Sequence, residues 1–157
     1  MKTVLMAVGT MTDASLRLLT DRMVGRIGHF TPFEYREIAD IKNTRSMNEA
    51  QQKEAEGKRI LASLAPGDCL ILLDERGKMY SSREFAEDIQ RRMLTQQRNL
   101  VYVIGGPYGF SDAVYARADG RVALSRMTMR HEMARMFFAE QLYRAMTIIK
   151  GLPYHHD

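Results

Sequence analysis

Two unbroken apolar runs of strand length constrain this chain more than anything else in it: Cys69-Leu70-Ile71-Leu72-Leu73 and Leu100-Val101-Tyr102-Val103-Ile104. Neither alternates between apolar and polar residues, so each suits a central strand covered on both faces, the situation of a parallel sheet between layers of helix. Parallel neighbours cannot be joined by a tight hairpin and need a crossover, normally a helix. The remaining segments supply that rhythm. Thr3 to Val8 is a β-rich apolar run, and Asp13 can cap a helix in which Leu16, Leu19, Met23 and Ile27 recur every three or four residues before Gly28. Phe33 to Ile38 follows Pro32 and alternates apolar with charged residues, as an edge strand does.

The polar stretch 42–46 predicts a mobile loop, and a polar helix follows over roughly 47–64. Pro66-Gly67-Asp68 is a turn, after which the run from Cys69 ends abruptly at Asp74. Ser81-Ser82-Arg83-Glu84 has capping-box spacing, which starts a helix at about Ser82. Ser111 caps a short helix, Val122 to Leu124 make the last strand, and Glu132 to Ile149 form the longest and most apolar helix. The fold class expected is α/β: a mostly parallel sheet flanked by helices, in one domain over 1–157.

Composition narrows what such a domain can be. A chain of 157 residues with 45% hydrophobic content can fill a core without staples. Its single cysteine, Cys69, has no partner in the chain, which points to a reducing, cytoplasmic setting and away from a Cys/His zinc knuckle. No run approaches the roughly 18 consecutive apolar residues of a membrane span, and the N-terminus reads as a first strand rather than a leader. The four histidines are not spaced as metal ligands, so no metal is expected. The net charge of +4 is mild, but Arg117, Arg121, Arg126, Arg130 and Arg135 fall close together against Asp119 and Glu132, and such a stretch can either solvate a surface or meet phosphates.

In open α/β sheets ligands bind beyond the carboxyl ends of strands. Here two buried strands end in unusual chemistry, one at Leu73-Asp74 and the other at Gly105-Gly106-Pro107-Tyr108-Gly109, so that edge of the sheet is the candidate site. The glycine string does not fit G-x-G-x-x-G, and no G-x-x-x-x-G-K-[ST] occurs, so dinucleotide and P-loop readings lose their usual support. The 132–149 helix is apolar on more than one stripe, including Met133, Met136, Phe137, Phe138, Leu142, Tyr143 and Met146, which implies a subunit interface.

Taken in order along the whole chain, Ala7-Val8-Gly9, Glu56 to Leu61, Leu73-Asp74 with Gly77-Lys78, Val103 to Pro107, Leu124-Ser125 with Met127-Thr128, His131, Glu140 to Ala145 and Pro153-Tyr154-His155 resemble the bacterial ribosomal RNA large-subunit methyltransferase H family, of the SPOUT class. The resemblance implies a homodimer whose C-terminal part forms a trefoil knot that binds S-adenosylmethionine. It implies methylation of N3 of a pseudouridine in large-subunit (23S) ribosomal RNA, on assembled ribosomes. Matched residue by residue, the cofactor contacts are Leu73, Gly105, Leu124, Ser125, Arg126, Met127, Thr128 and Met129. The expected RNA contacts are Arg121, Arg130 and His156; Arg130 stands where the family commonly has proline, Tyr108 where a short polar or acidic residue is usual, and His156 where Arg or Lys is frequent.

Methyl transfer from a sulfonium needs donor and nucleophile held in line, and an imide nitrogen attacks only once its proton is lost or its anion is stabilised. Arg144 is the expected anion-stabilising group, with His131, Tyr154 and His155 as unranked proton-accepting or substrate-positioning residues. The competing readings are a non-catalytic ribosome-associated RNA-binding protein and, further off, a flavodoxin-like nucleotide-binding enzyme.

Overall fold

The computed structural model describes residues 1–96 and 98–157. Strands β1 (Thr3–Val8), β2 (Phe33–Ile38), β3 (Cys69–Met79), β4 (Leu100–Ile104) and β5 (Gly120–Ala123) form one parallel sheet in the order β2-β1-β4-β3-β5. The helices are α1 (Ala14–Ile27), α2 (Glu49–Ala62), α3 (Ser82–Thr95), α4 (Asp112–Arg117) and α5 (His131–Ile149), with a 3-10 turn at Thr44–Ser46. β2 is an edge strand, as its alternation implies, and it is half-buried until Ile38.

The apolar runs are unbroken because the sheet has two cores and strand side chains alternate between them. Leu5, Ala7, Ile71, Tyr102 and Ile104 pack with Phe85 and Ile89 of α3 and Phe138 and Leu142 of α5 on one face. Val4, Met6, Leu70, Leu72, Val101 and Val103 pack with Ile60 of α2, Phe110 and Val114 of α4 on the other. Local sequence starts three helices at fixed places. Asp13 accepts from the Ser15 and Leu16 amides at 3.0 and 3.1 Å, and capping boxes pair Asn48 with Gln51 and Ser81 with Glu84. Each cap is worth about 1 kcal/mol, enough to fix a boundary.

Several expectations change. β3 does not stop at Asp74 but runs to Met79, and its pairing with β5 jumps from Leu73↔Val122 to Lys78↔Val122, so residues 74–77 bulge between them. Gly77 makes this possible: a Cβ there would lie 2.6 Å from the Val122 amide nitrogen. β5 begins at Gly120, two residues earlier than its apolar pattern, because pairing with β3 rather than side-chain burial defines it. α2 is shorter than the polar pattern implied, and α5 starts at His131.

Arg135 corrects the reading of the arginine-rich stretch. It is 2% exposed and donates to the Val8 and Gly9 carbonyls (both 2.9 Å) and the Tyr35 hydroxyl (2.8 Å), with Glu37 at 3.1 Å. It ties α5 to the carboxyl ends of β1 and β2 and cannot meet a phosphate. Within α5, Phe138 and Met146 belong to the protomer's own core, where the Phe138 ring lies 4.8 Å from Tyr102 and 6.2 Å from Phe85. The apolar residues of α5 left over for an interface are the exposed Met133 and the half-buried Met136 and Phe137, none of which joins a core cluster, with Leu18 and Leu19 exposed on α1.

Candidate functional site

The carboxyl ends of β3, β4 and β5 open into a cavity of about 550 Å³. Leu73 and Asp74 reach it at the bend of β3, and the segment 104–110 forms a second wall. Gly109, at φ +82°, closes a tight turn by donating its amide to the Gly106 carbonyl at 3.2 Å. Gly105 is required for a different reason. A Cβ there would meet the Phe110 ring at 3.0 Å and the Gly109 carbonyl at 3.2 Å, so the glycine keeps the turn closed rather than clearing space in the cavity itself. The third wall is the loop after β5, where Ser125 Oγ accepts from the Met127 amide at 2.9 Å.

Seven of the eight residues expected to hold the cofactor line this cavity: Leu73, Gly105, Leu124, Ser125, Met127, Thr128 and Met129. Arg126 lies in the same loop but is not part of the lining. His131, the first residue of α5, is in the lining too. Burial, reinforced by the Arg135 charge, holds its imidazole below the ordinary value of 6.5, so it is neutral at pH 7 and able to accept a proton.

The rim contains a group that sequence reasoning missed. Tyr115 of α4 donates to Asp74 Oδ2 at 2.5 Å, Arg76 reaches the same hydroxyl at 3.4 Å, and the Arg121 guanidinium stacks 4.5 Å above the Tyr115 ring. Burial, and then the bond to Asp74, raise the Tyr115 phenol, which therefore stays protonated. Asp74 was visible as the end of an apolar run; nothing in the sequence marked Tyr115. Among the described residues Arg76 and Arg121 have no carboxylate partner, whereas Arg130 lies 3.8 Å from both Asp13 and Glu132. Arg130 is thus partly committed to its own protein.

The other expected catalytic residues gather elsewhere. Arg144 donates to Glu140 Oε1 at 2.6 Å and contacts His155 Nδ1 at 3.2 Å, and its guanidinium lies 4.9 Å above the Tyr154 ring. The Tyr154 hydroxyl donates to the same Glu140 oxygen at 3.0 Å; burial and this bond raise its pKa. Arginine has no acceptor, so His155 Nδ1 must be the unprotonated nitrogen and Nε2–H donates to Asp157 Oδ1 at 2.9 Å. Asp157 is in turn gripped by Arg83 at 2.7 Å, and Arg83 and then His155 hold its carboxyl down at about 2. The tail is therefore built into the fold: Gly151, at φ +69°, reverses the chain after α5, and the Leu152 amide donates to the Thr147 carbonyl at 2.9 Å. His156 is exposed.

His131 and Arg144 sit at opposite ends of α5, roughly 20 Å apart along its axis at 1.5 Å per residue. One protomer does not bring them together. Cys69 is no candidate nucleophile, because burial pushes its thiol up. Among the described residues no group of three His, Cys, Asp or Glu side chains could hold a metal ion, and no helix is long and apolar enough to cross a membrane.

Comparison with known proteins gives this site a context. The family model described as "Predicted SPOUT methyltransferase" matches residues 1–155. Over 157 residues the chain is 48% identical to the ribosomal RNA large subunit methyltransferase H of Porphyromonas gingivalis, covering all of both chains. It is 50% identical over 156 residues to the protein of the same name from Cytophaga hutchinsonii, covering 99% of this chain and all of the relative. Against that of Bacteroides thetaiotaomicron it is 46% identical over 157 residues, again covering all of both.

Proposed function

The chain belongs to the SPOUT methyltransferase family, and from that premise we propose that it is an S-adenosylmethionine-dependent methyltransferase acting on N3 of a pseudouridine in large-subunit (23S) ribosomal RNA. In this reading residues 1–157 are one domain, the C-terminal part carries the family's trefoil knot, the working unit is a cytoplasmic homodimer, and the substrate is the assembled ribosome. The observation that carries the proposal is the convergence of Leu73, Gly105 and the Leu124–Met129 loop on one cavity. Its volume of about 550 Å³ suits a nucleoside-sized ligand. Apolar side chains at Leu73, Ile104, Leu124 and Met129 and the main chain of the glycine turn suit a purine ring and its sugar. Bound there, S-adenosylmethionine supplies an electrophilic methyl group.

The protein's own residues then have separable tasks. The cavity walls fix the donor, and neutral His131 at its edge takes the imide proton. Arg144 stabilises the anion left on the base. Tyr154 and His155 position the substrate, since the Nδ1 lone pair of His155 is engaged by Arg144. Because the two ends of α5 are far apart in one chain, the Arg144, Tyr154 and His155 of one subunit complete the donor cavity of the other. Met133 and Phe137, on the same face of α5 as Arg144, lie in the interface that brings them together. Arg121, unpaired at the rim, meets RNA phosphate together with Arg126 and His156, and Arg130 contributes less because Asp13 and Glu132 already compete for it.

The test is direct. The purified protein should bind S-adenosylhomocysteine by calorimetry, and should convert one pseudouridine to its N3-methyl form on ribosomes from cells lacking this protein, read by nucleoside mass spectrometry. A folded protein with no donor affinity would be a non-catalytic RNA-binding module instead.

A further inference from the structure

The donor cavity has a neighbour. Between the carboxyl ends of β1 and β4 lies a second cavity, of about 370 Å³, bounded by Thr10, Asp40, Gln52 and Glu56 and sharing the Gly106–Pro107 turn and His131 with the first. Its place in the fold is a favoured one. β1 and β4 are hydrogen-bonded neighbours whose chains leave in opposite directions, β1 toward β2 and β4 toward β5, and a crevice opens where they part.

This crevice holds more acceptors than donors, the Gln52 side chain being the one group that bonds the Glu56 carboxylate among the described residues. Glu56 is 4% exposed, and its Oε1 has no hydrogen-bond partner. Its carboxylate rests on the wall between the two cavities, where a Cβ at Gly106 would overlap it. Asp40, two residues past β2, lies against the end of β1: a Cβ at Gly9 would be 2.7 Å from its Oδ1, and its carboxylate has no hydrogen-bond or ion-pair partner among the described residues. Glu132, also in the lining, is satisfied by the Thr12 and Asp13 amides at 2.6 and 2.9 Å. Arg135 offers no compensating charge, because it is held by the Val8 and Gly9 carbonyls, Tyr35 and Glu37. Burial, with the Asp40 charge acting in the same direction, pushes the Glu56 carboxyl up. A buried acceptor with no donor is costly and is kept where something else supplies the donor.

The chemistry of the lining selects the donor. Among the described residues no three carboxylate, histidine or cysteine side chains converge as a metal site would require. The unpartnered Oε1 of buried Glu56 and the unpaired Asp40 carboxylate, with the Thr10 hydroxyl beside them, instead match the three N–H donors of an ammonium group. We propose that this cavity receives a primary ammonium group, supplied by the amino-acid end of the methyl donor as it passes Gly106 and Pro107 from the adjoining cavity, with Glu56 as its main acceptor and Asp40 as its second. The assignment of the source rests on the donor reading above; the preference for an ammonium group rests on the cavity alone. A free diamine is the other possible source.

Both sources can be told apart with the wild-type protein, Glu56→Gln and the solvent-exposed Asp40→Asn. Calorimetry with S-adenosylhomocysteine and with its counterpart carrying hydrogen in place of the amine should show the deaminated compound binding wild type about tenfold more weakly or worse. Glu56→Gln should lower S-adenosylhomocysteine affinity to the deaminated level while leaving the deaminated compound unchanged, and Asp40→Asn should do the same to a smaller extent. If deamination has no effect but putrescine raises the melting temperature of wild type and not of Glu56→Gln, the ammonium assignment stands and its source is a free amine. If deamination and putrescine are both without effect, or Glu56→Gln and Asp40→Asn weaken both compounds equally, the proposal is overturned. A wild-type protein that binds no S-adenosylhomocysteine would remove the donor reading, and the putrescine result would then decide this cavity by itself.

Discussion

At its N-terminal end α5 presents His131, neutral and half-buried beside an open cavity walled by the glycine turn and the loop after β5. At its C-terminal end the same helix presents Arg144 inside a polar cluster in which Glu140, Tyr154, His155, Asp157 and Arg83 satisfy one another. The first end opens on a cavity; the second packs its charged groups against one another. A reaction that needs a bound methyl donor and a cation facing the substrate needs both ends, and a rigid helix keeps them apart. On the proposed reading the two ends come together only across a dimer, with the helix length setting which parts of two subunits would meet.

Mixed dimers give the sharpest way to break this comparison. Gly105→Val, which drives the glycine turn against Phe110, and Arg144→Ala should each abolish methylation alone. Dimers containing one of each should recover about half the activity of wild type, because one donor cavity then faces one intact tail. Mixed dimers that form but stay inactive would place both ends of the reaction in one chain.

The next largest effect separates chemistry from binding. Arg144→Ala should lower the single-turnover methylation rate by roughly 10²- to 10³-fold with donor affinity nearly unchanged, as for loss of a group that acts on developing charge. Truncation after Leu152 should act in the same direction. A wild-type single-turnover rate in the truncated protein would make the tail cluster purely structural.

Core and interface on α5 should also part company. Phe138→Ala should cost about 3–5 kcal/mol in chemical denaturation, because its ring fills the space between Phe85 and Tyr102. Met133→Glu should leave the protomer's melting temperature close to wild type at low protein concentration and shift the sedimentation equilibrium toward monomer. A dimer unaffected by Met133→Glu would move the interface to another face.

Acidity and salt give the smallest effects. Burial lowers the His131 pKa, so its proton-accepting form persists below pH 6.5; the single-turnover rate should fall only below that pH, and the acid limb should vanish in His131→Gln. An acid limb centred at or above 6.5 would contradict the buried, neutral imidazole. For ribosome binding, Arg121→Ala should reduce the salt slope by about 1 and Arg130→Ala by much less, since Arg130 is already near Asp13 and Glu132.

Much of this was legible before any coordinates. The buried strands β3 and β4 were legible as unbroken apolar runs, the capping box at Ser81 by spacing, and the edge position of β2 by alternation. The shared edge of Leu73 and Gly105 was legible because strands of a parallel sheet point one way, and both residues do line one cavity. A reading that depended on charge failed at Arg135. Arg135 and Arg130 look alike in sequence, yet one is 2% exposed and tied to the ends of β1, while the other is exposed and only loosely paired. Composition cannot tell which arginine of a cluster will be buried, because burial depends on which distant carbonyls come within reach.

What the sequence determined by itself is what is local or periodic: a parallel α/β sheet, the helix starts, the glycine turn, and the order of residues that relates this chain to its family. The tertiary structure decided what depends on contacts between distant segments. It carried β3 past Asp74 along β5, put Tyr115 onto Asp74, and left Glu56 Oε1 without a partner at the junction of β1 and β4. Each of these rests on groups brought together by the closing of the sheet and its helices, and no window of sequence contains both members of such a pair.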